Sequence, residues 1–87
     1  MYVIVVYDVN VDRINKVRIF LKQYLNWVQN SVFEGELTKM ELKIIEKGVK
    51  DLIDKEQDSV RVYALRNDKY LKTIELGTSK VELSEII

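Results

Sequence analysis

Asp8 is the residue around which any chemistry of this sequence must be organised. It closes an apolar, mostly β-branched run, Val3-Ile4-Val5-Val6-Tyr7, and so stands where a buried strand would leave the core. The chain has no histidine and no cysteine. That removes imidazole catalysis, Ser-His and Cys-His nucleophile pairs, thiolate metal sites and disulfides. What remains is the chemistry of carboxylates, hydroxyls, Lys and Arg, with a hard metal as the natural companion. A lone carboxylate after a strand is often a helix cap or a turn former. The functional alternative is a magnesium ligand, because Mg2+ commonly takes one or two protein carboxylates and keeps several waters. One Asp is too few for a site that must also hold a phosphodiester. A two-fold axis near Asp8 would bring a second Asp8 from an identical chain, which makes a homodimer a condition of the chemistry.

The other candidates each carry two readings. Tyr7 precedes Asp8, and neighbours on a strand point to opposite faces, so both can face one site only where the strand ends. Otherwise Tyr7 is a core residue with its hydroxyl bonded. Ser31 and Phe33 are read on one strand face. Ser31 could bond a phosphate or a metal-bound water, or simply form a turn; Phe33 could stack a base, pack a dimer or fill the core. Arg13, Lys16 and Lys22 could neutralise nucleic-acid phosphates, or be a solvated helix face.

The elements that must position these residues follow from pattern. The run from Tyr2 to Val9 is a central strand covered on both faces. Asn10 to Asp12 cap a helix whose apolar side is Ile14, Val17, Phe20, Leu21, Tyr24 and Leu25, ending near Leu25-Asn26. Trp27 to Leu37 reads as two short antiparallel strands about Asn30-Ser31. Thr38-Lys39-Met40-Glu41 is a capping box that opens a second helix reaching about Asp54, with Leu42, Ile45, Val49, Leu52 and Ile53 buried. Gly48 within it is expected to permit close packing on the sheet. Gln57 to Arg66 is a second long strand, Asn67-Asp68-Lys69 a turn, and Thr73 to Leu76 a short strand closed by Gly77. The order β-α-β-β-α-β with an extra C-terminal strand predicts an α+β, ferredoxin-like fold. Its antiparallel sheet has both helices on one face, and a second copy of the chain is expected to cover the other.

Eighty-seven residues make a single domain, 1–87. Formal net charge is zero, without the basic excess of a monomer that coats nucleic acid. The distribution is uneven: residues 1–30 hold four basic residues against two acidic, and 31–60 hold five Lys against eight acids. The first helix is therefore the basic surface. Met1 leads straight into a strand and no stretch approaches a membrane span, so a cytoplasmic protein without a signal peptide is expected. Only three glycines occur, none clustered, which disfavours a small-molecule sensing domain of the same fold.

Several runs resemble one family. They are Val6-Tyr7-Asp8-Val9, then Asn15-Lys16-Val17 with Phe20-Leu21, then Val28-Gln29-Asn30-Ser31-Val32-Phe33-Glu34-Gly35. Together, with length and element order, they resemble the CRISPR-associated protein 2 family over the whole chain. The resemblance implies a homodimer of the adaptation module of antiviral defence. It implies association with the CRISPR-associated protein 1 integrase during spacer acquisition, and a magnesium-dependent endonuclease activity on single-stranded RNA or double-stranded DNA. It implies Asp8 as metal ligand, Tyr7, Ser31 and Phe33 as further catalytic residues, and Lys16 as a basic helix position. It also implies that 73–87 crosses to, or packs on, the dimer partner. One departure stands out: some nuclease-active members carry Arg two residues before the motif Gln, and here that position is Trp27. A non-catalytic dimeric scaffold that holds duplex DNA and bridges integrase subunits is the alternative reading.

Overall fold

The computed structural model describes residues 1–66 and 71–78. The expected turn at Asn67-Asp68-Lys69 and the apolar tail from Val81 to Ile87 lie outside the described residues. Seven elements follow one another: β1 (Tyr2–Asp8), α1 (Val11–Lys22), β2 (Asn26–Gln29), β3 (Val32–Glu36), α2 (Lys39–Leu52), β4 (Ser59–Leu65) and β5 (Leu71–Gly77). They form one five-stranded sheet in the order β2-β3-β1-β4-β5, with every pairing antiparallel. This is the expected α+β, ferredoxin-like arrangement with one additional strand.

β1 is central, as its unbroken apolar run requires. Val3, Val5 and Tyr7 are at most 3% exposed, and they pack in one cluster with Val17 and Leu21 of α1, Ile45 and Val49 of α2, and Phe33, Val60, Val62 and Ala64. Both helices therefore cover the same sheet face. Among the described residues nothing covers the opposite face of β1: Tyr2 and Val6 are exposed and Ile4 is half-buried. The apolar run has two causes here. One face feeds the core, and the other joins Val32, Tyr63 and Leu65 in an open apolar patch set by strand register, Val6 opposite Val32 and Ile4 opposite Tyr63.

The helix boundaries follow from their caps. Asn10 accepts the backbone N–H of Asp12 through its side chain, which satisfies a donor with no partner inside the helix. α1 stops at Lys22, short of the expected Leu25-Asn26, and Leu25 is still buried because its N–H bonds the Leu21 carbonyl in a continuing turn. In α2, Thr38 accepts from the Glu41 backbone at 3.1 Å and Glu41 accepts from the Thr38 backbone at 2.9 Å, forming the expected capping box.

Gly48 corrects one expectation. Its closest neighbour is the Phe20 ring of α1, not the sheet; a Cβ there would lie 2.2 Å from the ring tip. Gly77 is tighter in a different way. It has φ +83°, and a Cβ would sit 2.1 Å from the Asp58 carbonyl oxygen, which also accepts the Thr78 N–H at 2.8 Å. A half-buried ring can swing, whereas a hydrogen-bonded carbonyl cannot. Gly77→Ala should therefore lower stability by about 1–3 kcal/mol. Gly48→Ala should be close to neutral, since the helix gains about 1 kcal/mol from Ala while Phe20 is displaced. Urea unfolding of the two variants checks the order.

Residues 71–77 pair with β4 of the same chain along its whole length, Ser59 opposite Gly77 through Leu65 opposite Leu71. The part of the expected partner-crossing stretch that is described, 73–77, is thus an intramolecular edge strand. On its outer face Arg61 is paired with Glu75. Among the described residues no helix is long and apolar enough to cross a membrane.

Candidate active site

The carboxyl end of β1 is where the candidates converge in sequence, and the pleat divides them in space. Asp8 is the last residue of the strand, opposite Ser59 of β4, exposed on the open face. Tyr7 points the other way. It is 3% exposed, its hydroxyl donates to the Asn30 carbonyl at 3.0 Å, and it accepts from Arg18 Nε at 3.3 Å. Phe33 is fully buried, with its ring centroid 5.9 Å from that of Tyr7. Ser31 does not share a strand face with Phe33, because it lies in the turn between β2 and β3. Its carbonyl accepts the Tyr7 N–H at 3.0 Å, so it fastens that turn to the end of β1. Asn30 takes φ 30° in this two-residue turn, a conformation Asn tolerates better than most residues.

Asp8 therefore faces one side of the sheet while Tyr7 and Phe33 lie behind it. Their geometry suits positioning: they brace the strand end and the turn from the core side. Among the described residues, no group of three or more carboxylates in one protomer could hold a metal ion. Among the described residues, the donor that one chain offers at this strand end is the exposed Asp8 carboxylate. A hard ion fits such an oxygen donor, and a second carboxylate would have to come from another molecule.

The basic residues are also divided. Arg13 is only partly exposed, and its guanidinium is turned onto Asp58. Its Nε donates to Asp58 Oδ2 at 2.6 Å and its Nη2 to Asp58 Oδ1 at 3.0 Å, a bidentate clamp on a fully buried carboxylate. The Asp58 hydrogen bond raises the Arg13 pKa further, against desolvation. Lys16 and Lys22 remain exposed on α1. Arg18 and Lys22 sit over the Trp27 ring.

Asp58 is the residue that sequence reading missed. Its two oxygens accept four donors: Asn10 N–H at 2.9 Å and Arg13 Nη2 on one, Arg13 Nε and Asp54 N–H at 2.8 Å on the other. Arg13 foremost holds its carboxyl well below the ordinary carboxylate range; burial opposes this, and the backbone donors of Asn10 and Asp54 add to it. The network fixes the loop that leaves β1 two residues after Asp8. In sequence Asp58 is one of eight acids between 31 and 60, and nothing local marks it.

Two described grooves lie elsewhere. One, of about 410 Å³, runs between Phe20 and the Ile44–Gly48 face of α2. The other, of about 350 Å³, is bounded by Met1, Leu42, Ala64 and Arg66, near the far end of β1. Neither includes Asp8, so these grooves lend no support to a small-molecule site at the strand end.

Comparison with known proteins agrees with the motif reading. The family described as CRISPR associated protein Cas2 matches residues 1–73. The CRISPR-associated endoribonuclease Cas2 of Methanosarcina acetivorans is 55% identical over 87 residues, and that of Pyrococcus furiosus 53% identical over 87 residues, each covering all of both chains. A crystal structure of a Cas2 protein superposes with a TM-score of 0.73 at 49% identity, covering 95% of each chain. Streptococcus pyogenes Cas2 superposes with a TM-score of 0.70 at 36% identity, covering 78% of this chain and 89% of its own. With sequence and fold agreeing over nearly the full length, this chain belongs to the CRISPR-associated Cas2 family, the family to which its Tyr7-Asp8 and Gln29-to-Glu34 runs point.

Proposed function

We propose that the protein is a homodimeric, magnesium-dependent endoribonuclease of CRISPR adaptation whose metal is held between Asp8 of each of two copies. One observation carries this reading: Asp8 lies on the same open sheet face as the apolar patch of Ile4, Val6, Val32, Tyr63 and Leu65. The face that lacks a cover is the face that presents the carboxylate. A symmetric dimer uses the same patch on both subunits, so sheet-to-sheet association brings two equivalent carboxylates toward one axis. In the same reading the stretch 73–87 would cross to, or pack on, the partner.

The residues divide the work. The two Asp8 carboxylates would hold the ion between the two copies. A bound magnesium ion would supply charge stabilisation at the phosphoryl group and a more acidic water. Lys16, exposed on α1, neutralises a substrate phosphate. Tyr7, Ser31 and Phe33 hold the strand end and the β2–β3 turn in register from behind. With no histidine in the chain, no imidazole takes the proton of the attacking water; its activation would fall to a bound metal ion or a carboxylate, and turnover would be slow. The names of the relatives support RNA as the substrate.

A second reading is favoured by the clamp on Asp58. With Arg13 committed there and Trp27 where some nuclease-active members carry Arg, two guanidinium groups are missing from any phosphate site. A dimer that holds duplex DNA and bridges CRISPR-associated protein 1 integrase subunits would need no chemistry at Asp8. Cleavage of labelled single-stranded RNA and duplex DNA, with magnesium or chelator, by wild type and by identically purified Asp8→Ala, separates the two. Metal-dependent RNA cleavage that disappears in Asp8→Ala is the expected result. No cleavage, with integrase binding retained, replaces the enzyme by the scaffold.

A further inference from the structure

Trp27 is the one tryptophan of the chain, and it is 46% exposed on β2, an edge strand of the sheet. Large aromatics left half-open on an edge strand are a liability unless something covers them. Its core side is packed: the indole lies 14° from parallel to the buried Phe33 ring, with centroids 6.2 Å apart. Its plane is fixed by a hydrogen bond from the indole N–H to the Asn30 carbonyl at 2.9 Å. The pairing register shifts between Trp27 and Gln29, and a bulge of this kind re-aims side chains. Two cations attend the ring, the Arg18 guanidinium carbon at 5.1 Å and Lys22 Nζ at 4.7 Å from its centroid. Among the described residues neither forms an ion pair with a carboxylate.

A rigid, half-exposed indole with two cations over its ring, neither paired with a carboxylate among the described residues, combines the two elements of single-strand recognition. Each nucleobase has a π-face that stacks on an aromatic ring, and each linkage has a phosphate that seeks a cation. We propose that Trp27, Arg18 and Lys22 form a stacking site for one unpaired base of single-stranded nucleic acid, the base on the indole and the flanking phosphates on the two cations. The Lys22 ammonium, on a flexible stem, moves from the ring to a phosphate as the base arrives. A base inside a duplex has both faces occupied by its neighbours and cannot use the site. The platform is also mechanically joined to the strand end that carries Asp8. The Asn30 carbonyl accepts from both Trp27 Nε1 and the Tyr7 hydroxyl, and Arg18 donates to that same hydroxyl. The proposal rests on the reading that the protein acts on nucleic acid, and it adds a place on the fold where an unpaired base would be held.

The sole tryptophan makes the test direct, because all indole emission comes from this site. The wild-type protein, in chelator, is titrated with a single-stranded oligoribonucleotide, its deoxy counterpart, an RNA duplex, and an abasic single strand of equal phosphate count. Saturable quenching by the unpaired strands, RNA alone or both sugars, and none by the duplex or the abasic strand, is the expected pattern. By anisotropy of labelled RNA, Trp27→Ala should bind about 10-fold more weakly, and Trp27→Phe, which keeps a ring and the packing on Phe33, should lose less. Lys22→Ala should reduce the salt slope by about 1. Equal quenching by the abasic strand, no quenching, or unchanged RNA affinity in Trp27→Ala overturns the proposal. The outcome is separable from the nuclease reading. Asp8-dependent cleavage without quenching removes only the stacking site; quenching without any cleavage removes only the nuclease.

Discussion

Replacing Asp58 by Ala should lower folding stability by about 3–5 kcal/mol, the cost typical of breaking a buried charged network from one side. For a domain of this size the whole stability is about 4–13 kcal/mol. The urea midpoint should fall by about 2–3 M at the slope usual for small proteins. The reason is that one carboxylate satisfies two backbone N–H groups and both arms of the Arg13 fork. Removing it leaves the Asn10 and Asp54 donors without their acceptor and opens the loop between β1 and α1. Asp58→Asn should be nearly as damaging despite its shape, since an amide offers one oxygen and sets its NH2 group against two donors. Acid gives an independent check with a definite sign. The folded-state pKa of Asp58 is lowered, so its stabilising contribution is complete above the unfolded carboxylate value of about 3.9 and is lost as pH falls through the lowered folded value. Wild type should therefore lose more stability than Asp58→Asn between pH 5 and pH 3, and the two unfolding curves should converge in acid.

That network also shows where sequence stopped being informative. The fold was legible because its signals are local and periodic. The Val3–Val6 run could only be a central strand, Thr38 and Glu41 could only be a cap, and Asn30-Ser31 was the one turn available between two short strands. What failed depends on which distant elements meet. Gly48 packs against Phe20, 28 positions away in sequence, and the helix pattern says only that something close must be accommodated. Arg13 looked like any cation on an amphipathic helix until Asp58, 45 residues on, was seen to need it. The site was half legible for a related reason. Strand alternation foretold that Tyr7 and Asp8 would part, and they did. Ser31 took the turn that the Asn30-Ser31 signal offered, whereas the place of Trp27 on an edge strand depended on the strand order of the sheet, which no local residue pattern announces.

Mixing subunits should give the sharpest result for the active site. If two Asp8 carboxylates from two chains hold one ion, a dimer with one Asp8→Ala subunit has half of the ligand set. Losing a metal ligand removes several kcal/mol of transition-state stabilisation, and at about 1.36 kcal/mol per tenfold the rate should drop about 100-fold or more. An equal mixture of wild-type and mutant chains, allowed to exchange, should then keep about a quarter of the wild-type activity, the share of dimers with two intact copies. A site complete within each protomer would instead keep about half. The same logic reaches the interface without touching Asp8. Val6 is 39% exposed on the open face, between Val32 and Arg61 of the neighbouring strands, on the strand that ends in Asp8. Val6→Glu places like charges across the two-fold axis, while β1 keeps its core residues Val3, Val5 and Tyr7. Sedimentation should show monomer, circular dichroism should show the fold retained, and cleavage should fall as far as in Asp8→Ala. Activity that persists in a monomeric Val6→Glu would show that one carboxylate suffices, and would take the second Asp8 out of the mechanism.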